Sequence, residues 1–183
     1  MASDAPSLAG SSRGLYWLLP AAFIVHDAEE LFTMPAWAAA HREALRTALS
    51  RAGLGEYAPA VPAGFTHTAV AIGILLLPFL AVTAGAWRRP RSFAWRALYG
   101  GLLGTFFLHA FVHVGQAIVL RAYTPGLVTA VLVVIPASSY LGLALLRRGA
   151  IDPWPSMLAA LAGIVVFIPA VLGALELSRR LLS

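Results

Sequence analysis

The sequence predicts an all-α membrane protein: a bundle of about five transmembrane helices with one short amphipathic helix in the interface. Three observations carry that reading. Of the 183 residues, 60% are hydrophobic and only 11% are charged, where a soluble domain is nearer a quarter charged; the mean hydropathy is +0.80. Five apolar runs are each long enough for a bilayer, which takes roughly 20 residues rising about 1.5 Å apiece. Every basic side chain other than histidine is an arginine, mostly clustered beside those runs, as anchoring residues are. The net charge of +5 is thus explained by membrane flanks, and no nucleic-acid partner is expected. The chain has no cysteine, which excludes disulfides and thiolate metal sites.

Taken in order, residues 1–14 are small and polar and read as a flexible N-terminus, followed by a single transmembrane helical domain over 15–176. The expected spans are Leu15–Thr33, Phe65–Trp87, Ala97–Leu120, Gly126–Leu146 and Pro155–Leu175. The first has the apolar run of a signal peptide but flows into "HDAEE" without a small-residue cleavage site, so it reads as a retained span. Pro35 is expected to start a new helix over 36–51. There Arg42, Arg46 and Arg51 form a polar side and Trp37, Ala44, Leu45 and Leu49 an apolar one, suiting the interface. "GLGEYAPAVPAG" reads as a Pro/Gly loop. The dense clusters "RRPR" and Arg147-Arg148 lie in short loops on the side of the N-terminus, and mark that side as cytoplasmic. With its lysine-free, Ala/Gly/Arg-rich composition, the chain is expected in a bacterial cytoplasmic membrane as a multi-pass protein.

The chemistry concentrates in "IVHDAEELF", where His26, Asp27, Glu29 and Glu30 interrupt an apolar run. On a helix, with His26 at zero, Glu30 lies at about 40°, Glu29 at about −60° and Asp27 near 100°, so one bundle interior can receive them. The third span carries "FLHAFVHVGQ", with His109 and His113 four apart on one face, a spacing that two-histidine metal motifs use. Both spans run in the same direction, and a rise of about 1.5 Å per residue puts His26 and His109 at roughly 16 Å, Glu30 and His113 at roughly 22 Å. His67 enters from the second span just above that level, and Glu176 ends the fifth on the same side. Each mid-span acid costs on the order of 3 kcal/mol on insertion scales, and no arginine lies within a span core to offset it. The partners left are histidine, water or a metal. The plainer alternatives are a hydrogen-bond network that fixes packing, a neutral histidine pair, and a solvated helix start at His67.

"HDAEE" resembles the signature of the HXXEE-domain family of predicted integral membrane proteins, with His26, Glu29 and Glu30 on the named positions. The later "RAYTPGLVTAVL" is similar to a segment these proteins carry after the histidine-bearing span, and the resemblance runs from about residue 15 to 175. It implies the fold and the position of the site, and no reaction.

The function expected from the residues is a membrane metalloenzyme. His26, Glu29, Glu30, His109 and His113, with His67 as a sixth, would hold zinc or iron; so many donors suit a two-metal centre. Any unligated residue among His26, Glu29 and Glu30 would act as the general acid or base. The partners expected are membrane lipid and a lipophilic small-molecule substrate, acted on by hydrolysis or oxidation. Two alternatives keep the same residues: metal-free His/Glu acid–base catalysis on an isoprenoid-like substrate, and a small proton-coupled transporter.

Overall fold

The computed structural model describes residues 14–60 and 64–183; all of the expected flexible N-terminus but Gly14, and residues 61–63 of the Pro/Gly loop, lie outside them. A 3₁₀ turn, Gly14–Trp17, leads into α1 (Leu18–Ala40) and α2 (Arg42–Arg51). A second such turn, Gly55–Ala60, precedes α3 (Phe65–Arg88) and α4 (Phe93–Leu120). The chain ends with α5 (Leu127–Arg147) and α6 (Pro153–Leu181). No strand occurs among the described residues.

Helices α3 to α6 are long and apolar enough to cross a membrane, the make-up of a multi-pass membrane protein. That is four candidate spans among the described residues, where five are expected. The first helix has 23 residues, about 34 Å at the usual rise, so length is not what sets it apart. Every stretch of it long enough to span holds Asp27, Glu29 and Glu30 together.

Pro35 does not start a helix. It lies inside α1, and the break comes at His41, whose φ of −106° and ψ of 18° leave the helical region. A proline removes one N–H from a helix, but the alanine-rich "AWAAA" beyond it favours helix strongly enough to continue. Of the expected 36–51 helix, 42–51 is separate, with Leu45 and Leu49 half-buried on one side and Arg42, Arg46 and Arg51 exposed on the other.

Two other helices outrun their apolar cores because charged residues there are paired. Arg96, in the extra first turn of α4, meets Asp152 at 2.6 Å. Glu176, near the end of α6, takes Arg179 and Arg180 at 2.7 and 2.8 Å, one turn along the same face. A hydropathy run marks hydrocarbon thickness, while the helix goes on wherever its charges are satisfied.

Glycine sets the closest packing, between α4 and α6. A Cβ on Gly100 would collide with the Ser156 side chain and one on Gly101 with Ala159, while one on Gly104 would sit 2.7 Å from the Ala160 Cβ. From the other helix, Gly163 faces Thr105. Between membrane helices small residues let backbones approach, and dispersion contacts do the rest. On the other flank of α4, Phe23 of α1, Phe79 of α3 and Phe106 form a buried trio, with centroids 4.2 to 5.9 Å apart. Tyr99 donates to the Tyr16 carbonyl at 2.9 Å, tying the start of α1 to α4. These contacts hold α1 against the bundle one turn below His26.

Candidate functional site

His26 and Glu30 leave α1 one turn apart, and His109 and His113 leave α4 one turn apart. The two pairs meet. One ligand-capable atom from each of the four lies within 4.8 Å of all the others. The His26 ring centroid is 5.6 Å from that of His109 and 4.9 Å from that of His113. Glu30 Oε1 is 3.2 Å from His113 Nε2 and 3.8 Å from His26 Nε2. His109 and His113 face each other through their Nε2 atoms at 2.8 Å. Two imidazole nitrogens at that separation need a proton or a cation between them, since two lone pairs repel.

These spacings bracket what one ion would impose. Ligands about 2.0–2.1 Å from a tetrahedral zinc stand about 3.3 Å apart, against 2.8, 3.2 and 3.8 Å here. The donor set is three imidazoles and a carboxylate, which zinc and iron both accept. His26 Nε2 and His109 Nδ1 are buried without a hydrogen-bond partner, although buried polar atoms ordinarily have one. A cation taking the His26 Nε2 lone pair would remove one of these exceptions.

The loop after α4 completes the wall. Arg121, at φ 50°, reverses the chain, and Gly126, at φ 81°, caps α5. A Cβ on Gly126 would stand 2.8 Å from His113 Cε1, 2.9 Å from His26 Cε1 and 3.0 Å from Glu30 Oε1. Only a glycine lets the backbone take this conformation and come so close. Thr124, which is buried, hydrogen-bonds the His113 carbonyl at 3.4 Å and holds the loop down.

Glu29, next to Glu30 in sequence, points elsewhere. Its carboxylate accepts the Tyr123 hydroxyl at 2.6 Å, the Val128 N–H at 3.2 Å, and the N–H and hydroxyl of Thr129 at 2.7 and 2.6 Å. The free N–H groups of a helix start carry partial positive charge and welcome a carboxylate; α5 has no cap from its own side chains, and Glu29 of another helix supplies it. Partial burial, then the bond given to Glu29, hold the Tyr123 phenol above its ordinary pKa, so it stays a donor at neutral pH. The same Thr129 hydroxyl meets His26 Nδ1 at 2.9 Å. Shortly after its start, α5 runs as a π-helix over Ala130–Val134. Pro136 follows and has no N–H to give to a carbonyl one turn back; π-bulges often accompany functional sites.

Of the six residues expected to bind metal, the structure gathers His26, Glu30, His109 and His113 into one group. Glu29 lies on the α5 terminus, and His67, near the start of α3, is outside the group of four. His41 is exposed and stacks on Trp37 at 4.3 Å. Gly126 and Thr129 were not among the expected site residues. The left-handed preference of glycine in "TPG" was the available signal, but nothing in the sequence said where that turn would fold.

A cavity of about 770 Å³ opens beside the cluster, lined by Asp27, Glu30 and His109 among mostly apolar side chains of α1, α3, α4 and α6, with Leu45 and Leu49 of α2 also in its wall. Its size is that of a small-molecule site. Asp27 is buried, lines this space and is not one of the four donors.

The fold and site together define a class: an all-helical, multi-pass membrane protein with a buried His/Glu cluster under a glycine turn. Within that class, the chain belongs to the family described as "protein of unknown function with HXXEE motif", whose model matches residues 17–141. The match is shorter than the expected 15–175: it ends within α5 and leaves α6 outside. No curated protein and no solved structure matches the chain.

Proposed function

We propose that this protein is an intramembrane metal-dependent enzyme acting on a lipophilic small molecule, with His26, Glu30, His109 and His113 holding one zinc or iron ion. The observation that carries this reading is four N/O donors within 4.8 Å of one another at the wall of an apolar cavity that Glu30 and His109 also line. An ion held there could act as a Lewis acid on a substrate oxygen by taking that oxygen as a ligand beyond the four protein donors. Four donors serve one ion, so the reading is mononuclear. The cavity takes the apolar body of the substrate. Asp27, facing the same space outside the four donors, is the group suited to carry a proton to or from the reacting atoms.

The same reading makes α1 a fifth span. Ile24, Val25 and Phe32 are exposed along its outer face, while His26 and Asp27 are buried. Apolar outside and polar inside is the arrangement a bilayer demands. The membrane would be a bacterial cytoplasmic one, with α2 in its interface.

The test is metal content. Purified protein should carry zinc or iron near one per chain, and His109→Ala should remove it as fully as Glu30→Ala. Wild-type protein that stays metal-free after reconstitution with either ion would refute the reading. A second reading would then apply to the same residues. The Glu30–His113 contact of 3.2 Å, at the wall of the cavity, is the geometry of an acid–base pair, and needs no metal to move a proton on an isoprenoid-like substrate.

A further inference from the structure

We infer that Glu29 and Thr129 are positioning residues that lock His26 in the Nδ1–H tautomer and so turn its Nε2 lone pair toward Glu30, His109 and His113. Counting hydrogens leads there. The Thr129 hydroxyl has a single proton and three candidate acceptors within reach: Glu29 Oε2 at 2.6 Å, the Gly126 carbonyl at 3.4 Å and, were it unprotonated, His26 Nδ1 at 2.9 Å. The shortest, charge-assisted bond takes it. The carboxylate accepts four hydrogen bonds in all, which is what an ionised acceptor does and a protonated one cannot do fully.

With its proton committed to Glu29, the Thr129 oxygen can only accept from His26 Nδ1, 2.9 Å away. Nδ1 therefore carries the ring proton, and the neutral ring has its lone pair on Nε2. That atom is buried without a hydrogen-bond partner and stands 3.8 Å from Glu30 Oε1, too far to donate to it. The chain Glu29–Thr129–His26 is thus a carboxylate–histidine relay with a hydroxyl interposed, of the kind that orients metal-binding histidines. Two adjacent acids in "HDAEE" then have separate tasks: Glu30 faces the cluster, and Glu29 sets the imidazole through Thr129. The consequence for metal affinity rests on the reading of the site as a metal centre; the tautomer does not.

Nitrogen-15 NMR of metal-free, ¹⁵N-histidine-labelled protein in lipid bilayers reads the tautomer directly, with His26→Ala assigning the signal. The expected spectrum has His26 protonated on Nδ1 and unprotonated on Nε2. Thr129→Val removes the acceptor and should let the ring proton move to Nε2, lowering zinc affinity about 10–100-fold; Thr129→Ser should restore both. Wild-type His26 protonated on Nε2, or on both nitrogens, would overturn the inference, as would Thr129→Val with unchanged spectrum and affinity. If Thr129→Val does not fold, the wild-type spectrum alone decides. Nδ1–H in a protein that binds neither zinc nor iron would sink the metal centre and leave the relay standing. Bound metal with His26 ligating through Nδ1 would do the reverse.

Discussion

At Gly126 two constraints fall on one residue, and substitution separates them. Its φ of 81° is left-handed, as is the 60° of Gly149. A Cβ at Gly149 would meet nothing within 4 Å, while one at Gly126 would press on His26, His113 and Glu30. Gly149→Ala should therefore cost only the backbone term, roughly 1–2 kcal/mol, and keep the site. Gly126→Ala should cost that much and more and, on the proposed metal reading, should also lose zinc binding, because the methyl would press on three of the four proposed ligands. Thermal unfolding in detergent and zinc titration measure the two effects; equal behaviour of the two variants would mean that the close approach at Gly126 has no consequence. The acids, too, are separated by a single residue step. Neighbours in a helix point about 100° apart, enough to send Glu29 to a helix terminus and Glu30 to three histidines. This is how α1 carries three carboxylates without an arginine: one caps α5, one meets imidazole, and one faces a cavity.

Among the elements, the pairing of α4 with α6 is the one most exposed to small changes. Its glycines face side chains of the partner helix directly, and no driving force from water exclusion between helices stands in reserve. Gly101→Ala and Gly104→Ala should each lower the unfolding midpoint, since α6 must move outward or Ala159 and Ala160 must shift. A Cβ on Gly115, in the same helix, would meet nothing within 4 Å. Gly115→Ala should be neutral or stabilising by up to about 1 kcal/mol, from helix propensity alone. The opposite ranking would place the tight seam elsewhere. Loss of the seam would reach the site as well, because α4 presents His109 and His113 from the helix that α6 supports.

For the whole molecule, the question is whether α1 crosses the bilayer, and the absence of native cysteine makes it directly testable. Single cysteines at Gly14, Arg89 and Ala122, all exposed, can be labelled from either side of sealed vesicles without background. If α1 spans, Gly14→Cys and Arg89→Cys react from one side and Ala122→Cys from the other. Gly14→Cys reacting with Ala122→Cys would make this a four-span protein with α1 lying elsewhere. By the positive-inside rule the arginine clusters predict that the shared Gly14–Arg89 side is cytoplasmic, so an impermeant reagent should reach Gly14→Cys and Arg89→Cys in inside-out vesicles and Ala122→Cys in right-side-out ones; the opposite assignment would refute it. The physical reason to expect a crossing is the outer face of α1, which is apolar and exposed at Ile24, Val25 and Phe32.

By itself the sequence determined the helices and the depth of their polar groups, because both depend on local quantities. Apolar run length marks hydrocarbon thickness, and a fixed rise per residue brings His26 level with His109 and Glu30 level with His113. It read Pro35 too strongly, since a missing N–H weakens a helix without ending it where the next residues favour helix. Only the tertiary structure decided which way each helix is rotated toward its neighbours, which rests on contacts such as Phe23–Phe79–Phe106 and the glycine seam to α6. That rotation separates Glu29 from Glu30, while His67, near the start of α3, lies outside the group of four. It also folds the 121–126 turn back over the cluster, bringing Gly126 and Thr129 against residues about a hundred positions earlier. Sequence distance carries no information about such a meeting; packing does.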